Sequence, residues 1–398
     1  MELSTWRFMK PYTDRRILIE DQKTSLHISF RDECYTVLNC YLDAKDLKSC
    51  YYYKLDAVLD VSGLDYRFFY ICVASDGTEL CKGHIKLGER FLVPEGCCSV
   101  TVQFLLFSHH PGTARLNRVT LTEQGPYVSR TVRVCSVAWD MAAGGKRRTF
   151  LENVDDVMAE LDAVSVHHPD IVTLTEAVFQ TGRDQERQPE ILYNHLDDQY
   201  ISQLCEKARH HQMYIACSIQ ERDAVGLKRL SGLLINRSGE IQNIYHKTHL
   251  TMGELEDGCI LENELPVFQT DFGTVGILIC WDHFFPEAVR ALVLKGAELL
   301  LIPTHGFLKE RLITRAVENG VYVASAYTYS EGTMIVAPNG KILDSAAEKG
   351  YAFAEIDLNK PVWRQWLSCD SFAEPNPTYL MERRPELYGI LGTQMDMY

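Results

Sequence analysis

The pattern of apolar and polar positions changes near residue 124. Before that point, short apolar or alternating runs follow one another, Gly- and Pro-containing turns separate them, and no long helical period interrupts them. Runs such as Phe68–Val73 and Val100–Phe107 are typical strands of an antiparallel β-sandwich. We therefore predict an all-β sandwich domain over residues 1–124, with a closing strand over Gly112–Leu121.

From Thr131 onward, the pattern predicts strands that alternate with helices. Helical spacing of apolar residues predicts one helix from Phe150 through Leu161 and another over Leu192–His210. The continuous apolar run Thr274–Cys280 predicts a strand that is buried on both faces. The other predicted strands are Ile171–Thr175, Met213–Ile219, Leu299–Thr304 and Val321–Tyr327. This alternation predicts an α/β domain over residues 131–358. Residues 359–398 have no clear period, and we predict an extension that packs on this domain or on a neighbouring subunit.

One apolar run ends abruptly at Cys280. Pro286 and Glu287 then mark the start of a helix, because Pro is favoured at the first helical position and acids are favoured beside it. We expect Cys280 at the end of a buried strand, on the turn into that helix, where N–H groups stabilise a thiolate. Cysteine is also among the most buried residue types, so an inert core thiol is the alternative.

Two other predicted strands also end at residues that can take part in catalysis. Glu176 follows the strand that starts at Ile171, and Lys247 ends the return arm of a hairpin turned at Asn236–Gly239. Functional groups gather at strand ends in α/β sheets, although each of these residues alone also fits a solvated surface position. With Cys280 they supply a nucleophile, a proton carrier and a positive charge, which acyl transfer requires.

The motifs around these residues resemble the nitrilase, or carbon–nitrogen hydrolase, superfamily. The matching segments are Leu174–Glu176, Tyr245–Leu250, Asp271–Asp282, Phe285–Glu287 and Arg315–Val323. The resemblance covers roughly residues 132–358. It implies a four-layer α-β-β-α sandwich of nitrilase type, which usually assembles into homodimers or larger homo-oligomers. The all-β domain lies outside this resemblance.

The resemblance also implies a mechanism without a cofactor. Glu176 is the general base, Cys280 attacks an amide-type carbonyl, and Lys247 with the backbone N–H of Trp281 stabilises the oxyanion. We expect burial to raise the pKa of Glu176 toward the working pH, and Lys247 to stabilise the thiolate. The implied reaction is hydrolysis of a small linear amide or N-carbamoyl compound by water, through a thioester.

The substrate pocket is less well determined by the sequence. Many members of the superfamily position the substrate with a second glutamate after the lysine, and both Glu254 and Glu256 stand in that loop; we favour Glu254. Trp281, beside the nucleophile, is a candidate for substrate contact. We also expect the loops Trp139–Lys146 and Thr304–Leu308 to form pocket walls.

Three alternatives remain open. Nitrile hydrolysis would use the same three residues. A Cys–His enzyme would need a base such as His283, close to Cys280 in sequence. A non-catalytic protein could retain the fold while the N-terminal sandwich, which resembles jelly-roll, galactose-binding-like modules, binds carbohydrate through aromatics such as Tyr51–Tyr53. For that sandwich we favour a structural role, because fold does not imply function.

The composition limits the classes of partner and the cellular compartment that we expect for this protein. A formal net charge of -14 disfavours nucleic acid as a partner. No apolar run is long enough for a membrane helix, and the first residues lack the pattern of a secretion signal. The 13 cysteines, an odd number, suit reduced thiols in a cytoplasmic protein. Histidine pairs such as His246 and His249 lack the accompanying spacing of a zinc site, so we predict no metal.

Overall fold

The computed structural model describes most of the chain as two compact units. The described residues are 1–3, 6–9, 17–21, 25–31, 33, 36–138, 148–182, 184, 186–188, 190, 192–347, 350–366, 371–373 and 375–392. One unit comprises Met1–Val128 together with Trp363–Tyr398, and the other comprises Ser129–Val362.

The N-terminal part of the first unit is an antiparallel β-sandwich. Its strands are β1 (Glu2–Leu3), β2 (Trp6–Met9), β3 (Ile17–Asp21), β4 (Ser25–Phe30), β5 (Thr36–Lys45), β6 (Tyr51–Ser62), β7 (Asp65–Ala74), β8 (Glu79–Ile85), β9 (Arg90–Val93), β10 (Cys97–Ser108) and β11 (Gly112–Pro126). One sheet has the order β3-β4-β11-β6-β9, with β1 also on β11, and the other has the order β2-β5-β10-β7-β8. Alternate residues of β10, such as Val100 and Val102, are buried in the core. The predicted all-β fold of this region is confirmed.

The tyrosines that we considered for carbohydrate stacking have partners within the sandwich. Tyr53 is buried, and its hydroxyl accepts a 3.0 Å hydrogen bond from the backbone N–H of Lys48. The Arg90 guanidinium lies 4.5 Å from the centre of the Tyr52 ring, and the Lys48 ammonium lies 4.9 Å from that of Tyr51. The contacts of Tyr51 and Tyr52 are cation–π interactions, so a side chain of the sandwich already lies over one face of each ring.

The second unit contains two six-stranded sheets. Its strands are β12 (Thr131–Val137), β13 (Ile171–Thr173), β14 (Tyr214–Arg222), β15 (Lys228–Ile235), β16 (Ile241–His246), β17 (Val267–Gln269), β18 (Thr274–Ile277), β19 (Leu299–Thr304), β20 (Tyr322–Tyr327), β21 (Met334–Val336), β22 (Ile342–Ser345) and β23 (Tyr351–Asp357). The sheet orders are β16-β15-β14-β13-β12-β23 and β17-β18-β19-β20-β21-β22. Strands β12, β13 and β14 are parallel, as are β18, β19 and β20.

Helices cover the outer faces of these two sheets and complete four α-β-β-α layers, which confirms the predicted fold class. The helices of this unit are α1 (Phe150–Ser165), α2 (Gln199–His211), α3 (Met252–Glu256), α4 (Pro286–Leu294) and α5 (Lys309–Asn319). In β19, Leu299 and Leu301 pack in the core between the sheets, whereas Leu300 and Ile302 pack against α4 and α5. Helices α1 and α2 pack on the other sheet.

The second predicted helix starts later than the sequence pattern indicated. Helix α2 begins at Gln199, because the Asp198 side chain accepts hydrogen bonds from the backbone N–H groups of Tyr200 and Ile201. Asn194, which we had placed inside the helix, instead forms a β-bridge with Glu221. The start predicted at Leu192 is therefore wrong.

From Trp363 onward the C-terminal segment belongs to the first unit, whereas we predicted that it packs on the α/β domain or on a neighbouring subunit. It contains β24 (Arg364–Trp366), β25 (Ser371–Ala373) and α6 (Pro375–Glu382). The imidazole of His84, on β8, lies 3.0 Å from the Glu382 carboxylate. Among the described residues, no helix is long and apolar enough to cross a membrane.

Candidate active site

The structure brings Glu176, Lys247 and Cys280 together. Lys247 Nζ donates a 2.9 Å hydrogen bond to Glu176 Oε1, and the side chains are 0% and 4% exposed, respectively. The negative charge of the same carboxylate acts on the Cys280 thiol and raises its pKa. Three side chains that are far apart along the chain thus meet in one buried cluster.

Glu254 is the fourth member of this cluster. Its Oε1 accepts a 2.6 Å hydrogen bond from Lys247 Nζ, and its Oε2 accepts a 2.7 Å bond from the backbone N–H of Thr251. The second bond belongs to a capping box at the start of α3, so the helix end holds the carboxylate in place. Glu256, the competing candidate, is exposed to solvent.

Cys280 lies on a strained turn between β18 and α4. It begins a 3₁₀ turn over Cys280–Phe284, and its φ is +46°, a left-handed value that is rare outside glycine. The α-helix begins at Pro286, as the sequence predicted, and the 3₁₀ turn separates it from Cys280.

The protonation states also differ from our expectation. Burial raises the pKa of Glu176, but Lys247 and His305 more than offset this effect, so the pKa lies below its usual value. Burial and the Glu176 carboxylate raise the pKa of Cys280 to about 11, although Lys247 opposes them. Burial lowers the pKa of Lys247, but the surrounding negative groups raise it further, to above its usual value. The resting site therefore holds an ionised carboxylate, an ammonium and a neutral thiol.

Asp282 joins the turn of Cys280 to the loop that follows Lys247. This carboxylate is 0% exposed. Its Oδ2 accepts hydrogen bonds from the backbone N–H of Ile279, at 2.9 Å, and its Oδ1 from that of His249, at 3.0 Å. We assigned Asp282 no role from the sequence, although a charged residue inside a family motif and next to a buried strand was a usable signal.

His283 does not serve as the base of a Cys–His pair. Its Nδ1 donates to the backbone carbonyl of Cys280, not to the thiol, and burial lowers its pKa to about 4. The carbonyl of His283 in turn accepts a 2.9 Å hydrogen bond from Arg315 Nε. His283 and Arg315 therefore hold the backbone of the turn.

The comparison with family models decides the family. The model described as Carbon-nitrogen hydrolase matches residues 145–365. The chain belongs to the carbon–nitrogen hydrolase family. The matched range contains Glu176, Lys247, Glu254 and Cys280.

Curated relatives of this carbon–nitrogen hydrolase family member have different names. A protein called "Hydrolase in pqqF 5′ region", from Pseudomonas protegens, is 34% identical over 176 residues, which are 40% of this chain and 58% of that protein. A nitrilase of Pyrococcus abyssi is 30% identical over 207 residues, 47% of this chain and 77% of that protein. The N-carbamoylputrescine amidase of Arabidopsis thaliana is 27% identical over 197 residues, 40% of this chain and 62% of that protein. The chain thus spans less than two thirds of the length of the Pseudomonas and Arabidopsis proteins.

Solved structures show the same fold. A carbon–nitrogen hydrolase from Helicobacter pylori G27 has a TM-score of 0.54 and 19% identity, and the match covers 67% of this chain and 99% of that chain. An amidase from Nesterenkonia sp. has a TM-score of 0.53 and 21% identity, with 65% of this chain and 96% of that chain covered.

The structure describes two of the three remaining candidates for the substrate pocket of this family member. Trp281 is 38% exposed, and its ring packs against Phe284 and Phe285, with ring centres 4.6 Å and 5.8 Å away. The loop Trp139–Lys146 lies outside the described residues. In the loop Thr304–Leu308, a Cβ built on Gly306 would lie 3.9 Å from the Cys280 sulfur, so this loop borders the nucleophile.

His305, in the same loop, is a residue whose importance we missed. Its backbone N–H donates a 3.0 Å hydrogen bond to Glu176 Oε2. The sequence held a signal for this residue, because His305 directly follows the apolar run of β19 and therefore lies at a strand end, as Glu176 does shortly after β13.

Other titratable clusters do not form a metal site. His246 Nδ1 lies 2.9 Å from the Ser231 hydroxyl, and His249 Nδ1 lies 3.0 Å from Asp282 Oδ1. Within the described ranges, no group of three or more His, Cys, Asp or Glu side chains is arranged to hold a metal ion. Every cysteine that the structure describes is a free thiol.

Proposed function

We propose that this protein hydrolyses the C–N bond of a small linear amide or N-carbamoyl compound through a thioester on Cys280. The observation that carries the proposal is the position of Lys247 Nζ, which binds the Glu176 and Glu254 carboxylates at 2.9 Å and 2.6 Å, while the charges of Glu176 and Lys247 act on the Cys280 thiol. Similarity to proteins named amidases and N-carbamoylputrescine amidases supports this substrate class.

Acylation begins when the Cys280 sulfur attacks the carbonyl carbon and its proton passes to the Glu176 carboxylate. The carbonyl oxygen becomes an oxyanion. An ammonium has three N–H bonds, and Lys247 uses two of them for carboxylates. The third N–H, together with the backbone N–H of Trp281, stabilises the oxyanion. Glu176 then gives its proton to the nitrogen, the C–N bond breaks, and ammonia or an amine leaves.

Deacylation uses the same carboxylate. Glu176 accepts a proton from water as the water oxygen attacks the thioester carbon. The tetrahedral intermediate collapses, the C–S bond breaks, and the sulfur regains the proton from Glu176. The product is a carboxylic acid, or a carbamic acid from a carbamoyl substrate. Each half-reaction returns the site to an ionised carboxylate and a neutral thiol.

The charge distribution explains why the Cys280 thiol loses its proton only when it attacks a substrate. With a pKa of about 11, the Cys280 thiol stays protonated near neutral pH. Transfer of its proton to the ionised Glu176 is unfavourable until the sulfur forms a bond to carbon and the negative charge moves to the substrate oxygen. The proton transfer and the attack are therefore coupled, with Lys247 stabilising the charge that develops.

Mass spectrometry of the intact protein tests the proposal. The protein is incubated with a panel of amides, carbamoyl compounds and nitriles, and the reaction is quenched in acid. We expect an adduct on Cys280 that equals the amide minus ammonia or amine. Cys280→Ala should lose the adduct and turnover, whereas Cys98→Ala, which removes an exposed cysteine of the sandwich, should keep both.

The same experiment separates the alternatives. A nitrilase would add the whole mass of a nitrile to Cys280, because thioimidate formation expels no group. A non-catalytic protein that retains the fold would give no adduct with any panel member. Adducts that persist unchanged in Cys280→Ala would end the assignment of the nucleophile.

A further inference from the structure

His305 lies against the carboxylate of Glu176 through two of its groups. Its backbone N–H donates a 3.0 Å hydrogen bond to Glu176 Oε2, and its imidazole Nδ1 lies 3.7 Å from the same oxygen. The other oxygen of Glu176 accepts from Lys247. The His305 side chain is 40% exposed, whereas that of Glu176 is 4% exposed. The imidazole is thus a solvent-exposed partner of a buried carboxylate.

Thr181 holds the other nitrogen of this imidazole. Thr181 Oγ1 lies 2.6 Å from His305 Nε2, and it also lies 2.6 Å from the backbone carbonyl oxygen of Glu176. A hydroxyl has one proton, and the carbonyl can only accept. The Thr181 proton therefore points to the carbonyl, and His305 Nε2 must carry the hydrogen that the hydroxyl accepts. This arrangement leaves Nδ1 as the nitrogen that faces Glu176.

We propose that His305 is a positioning residue for Glu176: its imidazole, held by Thr181, keeps the carboxylate turned toward the Cys280 thiol and adjusts its charge. This inference rests on the catalytic role of Glu176 proposed above. Protonated His305 offers Glu176 an N–H and a positive charge. Neutral His305 offers a lone pair, which can accept a hydrogen bond from Glu176 once that residue holds the proton of the thiol.

The charged groups around Glu176 allow the effect to be assigned. The groups that face its carboxylate are Lys247, His305 and the thiol of Cys280, and Lys247 is shared with Glu254. Lys247 is buried and bound by two carboxylates, so it supplies a constant positive charge. His305 is the exposed partner, and its interaction lowers the pKa of Glu176. Loss of the imidazole should therefore raise that pKa.

The experiment compares His305→Gln with wild type across pH. The backbone N–H remains, so the variant removes only the imidazole. We expect kcat to fall about tenfold with KM nearly unchanged, and the acid limb of kcat/KM to move to higher pH by about one unit. The rate at which Cys280 reacts with 2,2′-dipyridyl disulfide, a thiol reagent that works in acid, should change as Glu176 titrates, and the pH of that change should move upward by the same amount without requiring turnover.

Three matched variants complete the test. Thr181→Val keeps the imidazole but removes the hydroxyl that holds it. This variant should lower kcat, and it should shift the acid limb of kcat/KM less than His305→Gln does. Thr181→Ser retains a hydroxyl and should have wild-type values. His195→Gln changes an exposed histidine before α2 and should change neither. An unchanged disulfide-reaction profile in His305→Gln would overturn this inference, whereas failure of wild type to form any acyl-enzyme would overturn the proposed function instead.

Discussion

The Tyr245 hydroxyl donates a 2.8 Å hydrogen bond to Asp282 Oδ2, and both side chains are buried. Tyr245 lies on β16, shortly before Lys247, and Asp282 lies on the turn that begins with Cys280. The bond therefore joins the segment that carries the ammonium to the segment that carries the nucleophile. The distance between these two groups depends on a carboxylate that takes no part in the proposed chemistry.

Asp282→Asn should destabilise the protein and reduce turnover together. The carboxylate accepts from two backbone N–H groups, of Ile279 and His249, on different oxygens, and an amide can replace only one of these acceptors. We expect a loss of about 2–4 kcal/mol in the free energy of unfolding, measured with urea, and a marked fall in kcat.

Tyr245→Phe removes one bond from the same network and should cost about 1 kcal/mol, again with reduced kcat. Tyr53→Phe provides the matched control, because it removes a buried tyrosine hydroxyl that accepts from Lys48 in the sandwich. That control should lose stability while kcat stays at the wild-type value. Equal activity of Tyr245→Phe and Tyr53→Phe would contradict the proposed link.

Glu176→Gln should abolish hydrolysis yet make the thiol more reactive. The carboxylate is one of the groups that raise the pKa of Cys280 to about 11, so its removal lowers that pKa and increases the thiolate fraction at a given pH. We expect the rate of alkylation of Cys280 by iodoacetamide, followed by peptide mass spectrometry between pH 7 and 9, to rise several-fold.

Turnover in the same variant should fall by at least 10³-fold, because no group remains to carry the proton. Glu256→Gln, an exposed acid on α3, is the control and should change neither rate. Slower alkylation together with lost turnover would mean that the substitution disturbed the turn of Cys280, and the assignment of Glu176 as base would lose this support.

The layers of the hydrolase unit could be predicted because burial leaves a local pattern. The continuous apolar run Leu299–Thr304 coincides with β19, since both faces of that strand are buried. The choice between Glu254 and Glu256 was also encoded locally. Thr251 and Glu254 form the Thr-x-x-Glu signature of a capping box, which predicts a helix start and identifies the acid turned back toward the lysine loop.

The protonation states and the supporting contacts could not be predicted in the same way. Whether burial raises the pKa of Glu176, or neighbouring charges lower it, depends on the balance between them, and the cations come from distant segments that contain Lys247 and His305. The start of α2 also depends on contacts that the apolar spacing does not reveal. That spacing continues upstream of Gln199, but Asp198 caps the helix there and Asn194 forms a bridge with Glu221.

His283 should make the stability of the protein depend on pH in mild acid. Burial lowers its pKa to about 4, from an ordinary value of 6.5, so between these values the unfolded chain binds a proton that the folded chain does not. The contribution is fully present above pH 6.5 and is lost as the pH falls toward 4. It amounts to about 3 kcal/mol at most.

Thermal unfolding measured from pH 4 to pH 7 checks this prediction. His283→Asn should flatten the dependence of Tm on pH in that window, although its Tm at pH 7 should be lower, because the bond from the imidazole to the Cys280 carbonyl is lost. His195→Asn, at an exposed position, should leave the slope unchanged. A slope that His283→Asn fails to reduce would assign the acid sensitivity to other groups.

The residue at position 306 should control the space beside the Cys280 sulfur. A Cβ at this position would meet, among the described residues, only the Cys280 sulfur, at 3.9 Å, which is ordinary van der Waals contact. Gly306→Ala should therefore fold with a Tm close to that of wild type. Its methyl group, however, occupies volume that the acyl group of a substrate needs during attack on the sulfur.

We expect Gly306→Ala to reduce kcat/KM more for amides that are branched beside the carbonyl than for linear ones, by roughly tenfold, since steric conflict of this size is worth about 1–3 kcal/mol. Gly389→Ala is the control, because no described heavy atom lies within 4 Å of a Cβ built there. Steady-state kinetics on a linear and a branched amide of equal carbon number measure the effect. If both substrates lose the same factor, the acyl group does not pass over Gly306, and the pocket opens from another side of the sulfur.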